Sequence, residues 1–174
     1  IPTDHPAFAE TEKAVNERIH TLMNIKGNQT VESFHKRLGK IMWDKCGMAR
    51  NEAGLRSALD EIRKLKTEFW ADVKVPGDIK EFNPELDKAG RVADFIELGE
   101  LMCMDALDRN ESCGGHFREE SQELEGPQKG EAKRDDENFS YVAAWEFKGE
   151  GVEPMLNKED LQFDVVHPTQ RSYK

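Results

Sequence analysis

The sequence predicts a mainly α fold: an antiparallel bundle of three to four helices, followed by a long loop and a small antiparallel β tail. Three observations carry this. Apolar residues recur at helical spacing through the first two thirds of the chain, proline and glycine interrupt that rhythm at regular intervals, and an aromatic, β-prone run appears only after residue 138. The expected division is a helical bundle over 1–118 and a loop with a β-containing tail over 119–174 that packs on the bundle.

The first helix is expected to start near Pro6, capped by Thr3 or Asp4, with proline in its first turn. Phe8, Val15, Ile19 and Leu22 form its apolar stripe, and Gly27-Asn28 is its expected end, glycine being suited to the left-handed position after a helix. Thr30 then caps a second helix with the stripe Val31, Phe34, Leu38, Ile41, Met42 and Cys46. Gly39 within it marks a place where another helix could pack closely.

The third helix follows Asn51 and carries a near-heptad seam of Leu55, Leu59, Ile62, Leu65, Phe69 and Val73, opposite a charged, solvated face. Pro76-Gly77-Asp78 breaks the chain, and Asn83 caps a fourth helix with Pro84 at its first position. From Val92 to Leu107 that helix is apolar nearly all round, which predicts burial on several sides.

Residues 121–138 are polar and read as a long loop around Gly126-Pro127 and Gly130. The run from Phe139 to Phe147 is β-prone, Gly149-Glu150-Gly151 offers a turn, and Val152–Met155 and Gln162–Val166 are candidate partner strands, with Pro154 keeping its segment at an edge.

Composition excludes several functions. The net charge of −10 leaves no basic face for nucleic-acid phosphates. No run approaches the roughly 18 apolar residues of a membrane span, and the first residues lack the basic and apolar regions of a signal peptide. Cys46, Cys103 and Cys113 are odd in number and widely spaced, which fits a reducing compartment better than a disulfide framework. The chain opens on Ile1 instead of methionine, as expected of a piece of something longer.

The densest cluster of reactive and polar side chains is Arg109-Asn110-Glu111-Ser112-Cys113-Gly114-Gly115-His116-Phe117-Arg118-Glu119-Glu120. A metal site built on Cys113, His116, Glu119 and Glu120 lacks the second histidine of a zinc-protease motif and would set Arg118 beside the ion. A Cys113–His116 nucleophile pair lacks an orienting third group. Neither a dinucleotide fingerprint nor a P-loop is present. No catalytic, cofactor-binding or metal residue is therefore assigned. The cluster reads as an interface made by Glu111, Ser112, Gly114, Gly115, His116 and Arg118, because the Gly-Gly pair permits sharp turning and close backbone approach.

The same corner resembles the A-x-x-R-x-E-S-R-G-A-H-x-R-x-D segment of succinate dehydrogenase and fumarate reductase flavoprotein subunits. Around it, Met48-Ala49-Arg50-Asn51 with Gly54-Leu55, Arg134-Asp135-Asp136-Glu137-Asn138-Phe139, and Pro168 with Arg171-Ser172-Tyr173 are similar to further motifs of that family, in the same order. The resemblance implies the C-terminal region of the flavoprotein subunit, a spectrin-repeat-like bundle with a small β-containing tail. The implied parent is an oxidoreductase that interconverts succinate and fumarate with FAD and passes electrons to an iron–sulfur subunit and then to quinone.

In such a subunit the flavin and the dicarboxylate site lie in preceding FAD-binding and capping domains, so no cofactor is expected in these residues. The implied partners are those domains, the iron–sulfur subunit and, indirectly, a membrane anchor; the implied location is cytoplasmic, peripheral to the inner membrane. The alternatives are a free-standing helical interaction module and the equivalent domain of a related flavoenzyme such as L-aspartate oxidase. Two positions depart from the family pattern: Cys113, where arginine is usual, and Gly115, where alanine is usual. Arg109 and Arg118 are candidates to supply the missing cation.

Overall fold

A computed structural model describes residues 2–149 and 151–169. The quoted Arg171-Ser172-Tyr173 and Glu150 lie outside the described residues. Four long helices dominate: α1 (Pro6–Asn24), α2 (Val31–Lys45), α3 (Glu52–Asp72) and α4 (Pro84–Asp108). A short α5 (Asp136–Phe139) precedes the hairpin of β5 (Tyr141–Glu146) and β6 (Met155–Asp160). Four two-residue strands complete the set in two pairs: β1 (Gln29–Thr30) pairs in parallel with β3 (Val73–Lys74), and β2 (Ala49–Arg50) with β4 (Phe117–Arg118). The chain is mainly helical with a small antiparallel β tail, as the periodicity predicts.

The residues gather into two compact units. One comprises residues 1–47 and 52–108, the other residues 48–51 and 109–174, so the passage between them follows Asp108, upstream of the boundary expected at residue 118.

Within the first unit, α3 runs antiparallel to α4, with Arg63 paired to Glu100 and Lys66 to Glu97. It runs antiparallel to α2 as well, with Lys45 reaching Glu61 and Arg37 reaching Glu68. The core between them is Phe34, Leu38, Leu55, Ala58, Ile62, Leu65, Phe69, Val92, Ala93, Ile96 and Cys103. Helix α2 and helix α4 approach closely at Gly99, where a Cβ would lie 3.3 Å from the Met42 sulfur and 3.4 Å from a Leu38 methyl. Gly39, expected to be that contact, has open space around it.

Caps follow local chemistry. Asn83 Oδ1 accepts from the Glu85 and Leu86 amides and Thr30 Oγ1 from Ser33, both as expected. At α1 the cap is instead His5, whose Nδ1 accepts from Ala7, displacing Thr3 and Asp4 from that role. Helix α1 ends through Ile25 in an extended conformation, and Gly27 is not left-handed. Its glycine has another cause: a Cβ there would run into the Asp72 backbone. That close approach lets Asp72 accept from the Asn28 amide at 2.9 Å and the Gln29 side chain at 3.2 Å, which hold its carboxyl below the usual range. The Arg37 guanidinium and then the Gln29 amide lower neighbouring Glu68 to about 2.

Two expectations are corrected. Helix α4 is not buried all round: Ala89, Val92, Ala93, Ile96, Gly99, Cys103 and Ala106 face the core, while Phe95, Leu98 and Met102 are 43–53% exposed. The neighbouring helices cover one broad face of α4, and His35 of α2 lies beside the Phe95 ring at its edge, ring centres 5.9 Å apart. The strand opposite β5 is Met155–Asp160, so Gln162–Val166 is not a strand. The register runs from Tyr141↔Asp160 to Glu146↔Met155, which places the turn glycines Gly149 and Gly151 at positive φ.

Candidate functional site

The second unit contains the polar corner, and its geometry begins with a two-residue turn. Cys113 N–H donates to His116 O at 2.8 Å and His116 N–H to Cys113 O at 3.1 Å, which closes a tight hairpin over Gly114-Gly115. Gly114 has φ +59° and Gly115 does not share the positive sign, the pattern of a turn that demands glycine at its first central position only. Both glycines are exposed, and a Cβ on either would meet open space. Gly114→Ala is therefore expected to destabilise by about 1–2 kcal/mol through its backbone alone, while Gly115→Ala is neutral or slightly stabilising; thermal unfolding of the two variants separates them.

Strand β2 enters from an unexpected direction. Phe117 N–H donates to Met48 O at 3.0 Å and Glu119 N–H to Arg50 O at 2.9 Å, so the short segment between α2 and α3 becomes the partner of the strand leaving the hairpin. Asn51 reaches Glu119 at 2.6 Å. On the other side, Ser112 N–H donates to Lys133 O at 2.9 Å, and the loop that follows folds back through the Gln122–Ala132 bridge with left-handed Gly126 and Gly130.

Three of the six singled-out residues are buried: Glu111 (2% exposed), Ser112 (0%) and Arg118 (2%). Their polar groups are matched inside the chain, as burial requires. Ser112 Oγ accepts from Arg118 N–H at 2.9 Å and donates to Arg118 O at 3.1 Å. Glu111 holds Arg109 at 2.7 Å and the Asp135 amide at 2.9 Å. Arg118 Nε bonds Glu120 at 3.1 Å.

Arg109, the first residue after α4, links the corner to the β tail. It donates to the carbonyls of Phe139 (3.3 Å) and Tyr141 (3.2 Å), and its guanidinium lies 5.1 Å from the Tyr141 ring centre, with Lys158 over the same ring at 4.2 Å. The Arg109 carbonyl in turn receives His116 Nε2 at 2.7 Å and Arg118 Nη1 at 3.4 Å. Burial pushes the half-buried His116 imidazole below its usual pKa. The Arg109 carbonyl opposes this, and the Arg50, Arg118 and Arg109 cations add to it.

The structure thus brings all six residues into one corner, three as buried braces and three, Gly114, Gly115 and His116, at or near its surface. Sequence reasoning missed Arg50 as a member of this site. A two-residue strand has no periodicity to detect, so no local signal marks Met48–Arg50 as the hairpin's neighbour. Among the described residues no group of three or more His, Cys, Asp or Glu side chains is arranged to hold a metal ion. Among the same residues no helix is long and apolar enough to cross a membrane.

Residues 35–173 match the family model described as fumarate reductase flavoprotein C-term. A fumarate reductase flavoprotein subunit of Serratia sp. is 27% identical over 172 residues, covering 99% of this chain and 27% of the relative. One from Helicobacter pylori is 28% identical over 151 residues, 86% of this chain and 20% of the relative. The chain therefore spans about a quarter of the length of the curated relatives it matches. The quinol fumarate reductase of E. coli shares the fold, with a TM-score of 0.74 and 20% identity over 98% of this chain and 27% of that one.

Proposed function

The chain belongs to the family of fumarate reductase flavoprotein C-terminal domains, and from that membership we propose that it is the docking and supporting part of a flavoprotein subunit interconverting succinate and fumarate. In this reading the FAD, the dicarboxylate site and the hydride-transfer chemistry lie in FAD-binding and capping domains of the same subunit. Electrons leave the flavin for an iron–sulfur subunit and then quinone, and any membrane association comes through those partners.

The observation that supports the docking role is the contrast within the corner. Glu111, Ser112 and Arg118 are buried and fully engaged, yet they brace a hairpin whose tip, Gly114-Gly115, is exposed, with open space where a side chain would stand and Arg50 Nη2 on the Gly115 carbonyl at 3.5 Å. A rigid, side-chain-free tip is suited to close backbone approach by another surface. Glu111, Ser112 and Arg118 then serve the interface by fixing the tip, and His116 lies at its edge.

Gly115→Trp in the full-length subunit tests this. The substitution adds bulk where this chain has open space, so folding of the chain should be unchanged. Assembly of the flavoprotein with its neighbouring domains or iron–sulfur partner should fall at least tenfold, with succinate oxidation falling in proportion. Normal assembly at normal activity would remove the corner from the interface.

A further inference from the structure

One half-buried titratable group has no role in docking by shape alone. His116 is the only histidine in the polar corner, and it is fastened by its Nε2 to the carbonyl of Arg109, the residue that also carries the contacts to Phe139 and Tyr141. Its charged surroundings are lopsided. Arg50 comes from β2, Arg109 from the segment after α4 and Arg118 from β4, and all three oppose a further positive charge. Of the corner's carboxylates, Glu111 is committed to Arg109 at 2.7 Å and Glu120 to Arg118 at 3.1 Å, while Glu119 accepts from the Asn51 side chain at 2.6 Å. Cys113, the residue paired with His116 across the hairpin, is a free thiol.

We propose that the Cys113–His116 hairpin is an acid-sensitive latch: a neutral imidazole fastens it to the Arg109 carbonyl, and a protonated one, set among Arg50, Arg109 and Arg118, loosens it. Neutral imidazole fits because one N–H satisfies the carbonyl and no charge is left half-buried. Proton uptake adds a fourth cation to the group. A histidine whose pKa is lower in the folded than in the unfolded state contributes its full stability above the unfolded value of about 6.5. That contribution is lost as pH falls below it toward the folded pKa. The latch therefore holds at neutral pH and weakens in mild acid, and it does so in the chain by itself, whether or not the docking reading is right.

Hydrogen exchange of the 174-residue chain, corrected for intrinsic rates, tests it. Between pH 7.5 and 5.5 protection at the Cys113 and His116 amides should fall by about threefold or more, while α3 amides stay unchanged. H116Q keeps an N–H for the Arg109 carbonyl without a titrating ring, so its corner protection should be flat across the same range. As a second measure, the NMR titration midpoint of His116 should lie below that of free histidine and rise in R50M, which removes one facing cation. A flat profile in the parent chain, an equal slope in H116Q, or an unmoved midpoint in R50M would each overturn the latch.

Discussion

Phe69→Ala is expected to lower the unfolding free energy of the helical unit by about 3–5 kcal/mol. Phe69 is fully buried and packs edge-on against Phe34 at 5.3 Å and 81°, and against Trp70 at 5.4 Å and 87°. It joins α2 to α3 near the end of the bundle closed by β1 and β3. The lost transfer energy adds to the cavity left between rings that cannot collapse onto each other without moving a helix. Urea unfolding monitored at α-helical wavelengths gives the value. A loss below about 1 kcal/mol would mean that the aromatic cluster is not the core it looks like geometrically.

The second large effect belongs to the corner. Glu111→Ala should cost about 2–4 kcal/mol, because it removes the carboxylate from Arg109 and leaves the Asp135 amide without its acceptor. The Arg109 side chain is 23% exposed, so water softens the penalty below that of a fully buried orphan charge. Glu111→Gln, which keeps an acceptor for Asp135, should lose less. Combining Glu111→Leu with Arg109→Met should lose less than the sum of the two single changes, since neither charge is then left alone. Hydrogen exchange at the Asp135 amide is the local readout, and full protection there in Glu111→Ala would contradict the assigned bond.

The two effects also mark what could be read ahead of the structure. The seam Leu55, Leu59, Ile62, Leu65 and Phe69 and the stripe Val31, Phe34 and Leu38 are buried as their spacing requires, because a helix fixes the direction of every side chain once its period is known. The Asn83-Pro84 start of α4 is equally local: cap, proline and first turn are adjacent in sequence. Where a residue's meaning depended on a distant partner, the reading failed. Gly27 looks like a helix end in the sequence, yet it is glycine because the Asp72 backbone, far along the chain, lies against it. Gly39, expected at a close helix contact, has open space, and the close contact falls at Gly99 for the same reason.

The apolar run of α4 shows the limit from the other side. Its composition correctly marks a helix but does not say which face is covered, and Phe95, Leu98 and Met102 remain partly exposed even with His35 of α2 beside the Phe95 ring. Hydrophobicity measures what a side chain would gain from burial, not whether a neighbour is present to bury it.

Taken by itself, the sequence determined the helices, the N-caps of α2 and α4 and the location of the polar corner, because those depend on dihedral preference and on periodicity within a few residues. It also carried the family resemblance, through motifs whose order survives without any structure. Tertiary structure alone decided what the corner is made of. Only pairing of β2 with β4 brings Arg50 beside His116, only folding back of the 121–138 loop gives Ser112 the Lys133 carbonyl, and only the β5 hairpin gives Arg109 its ring and carbonyls. The physical reason is that hydrogen bonds and ion pairs act over a few ångströms, so the partners of buried polar groups are fixed by where the chain returns in space and leave no periodic trace along it.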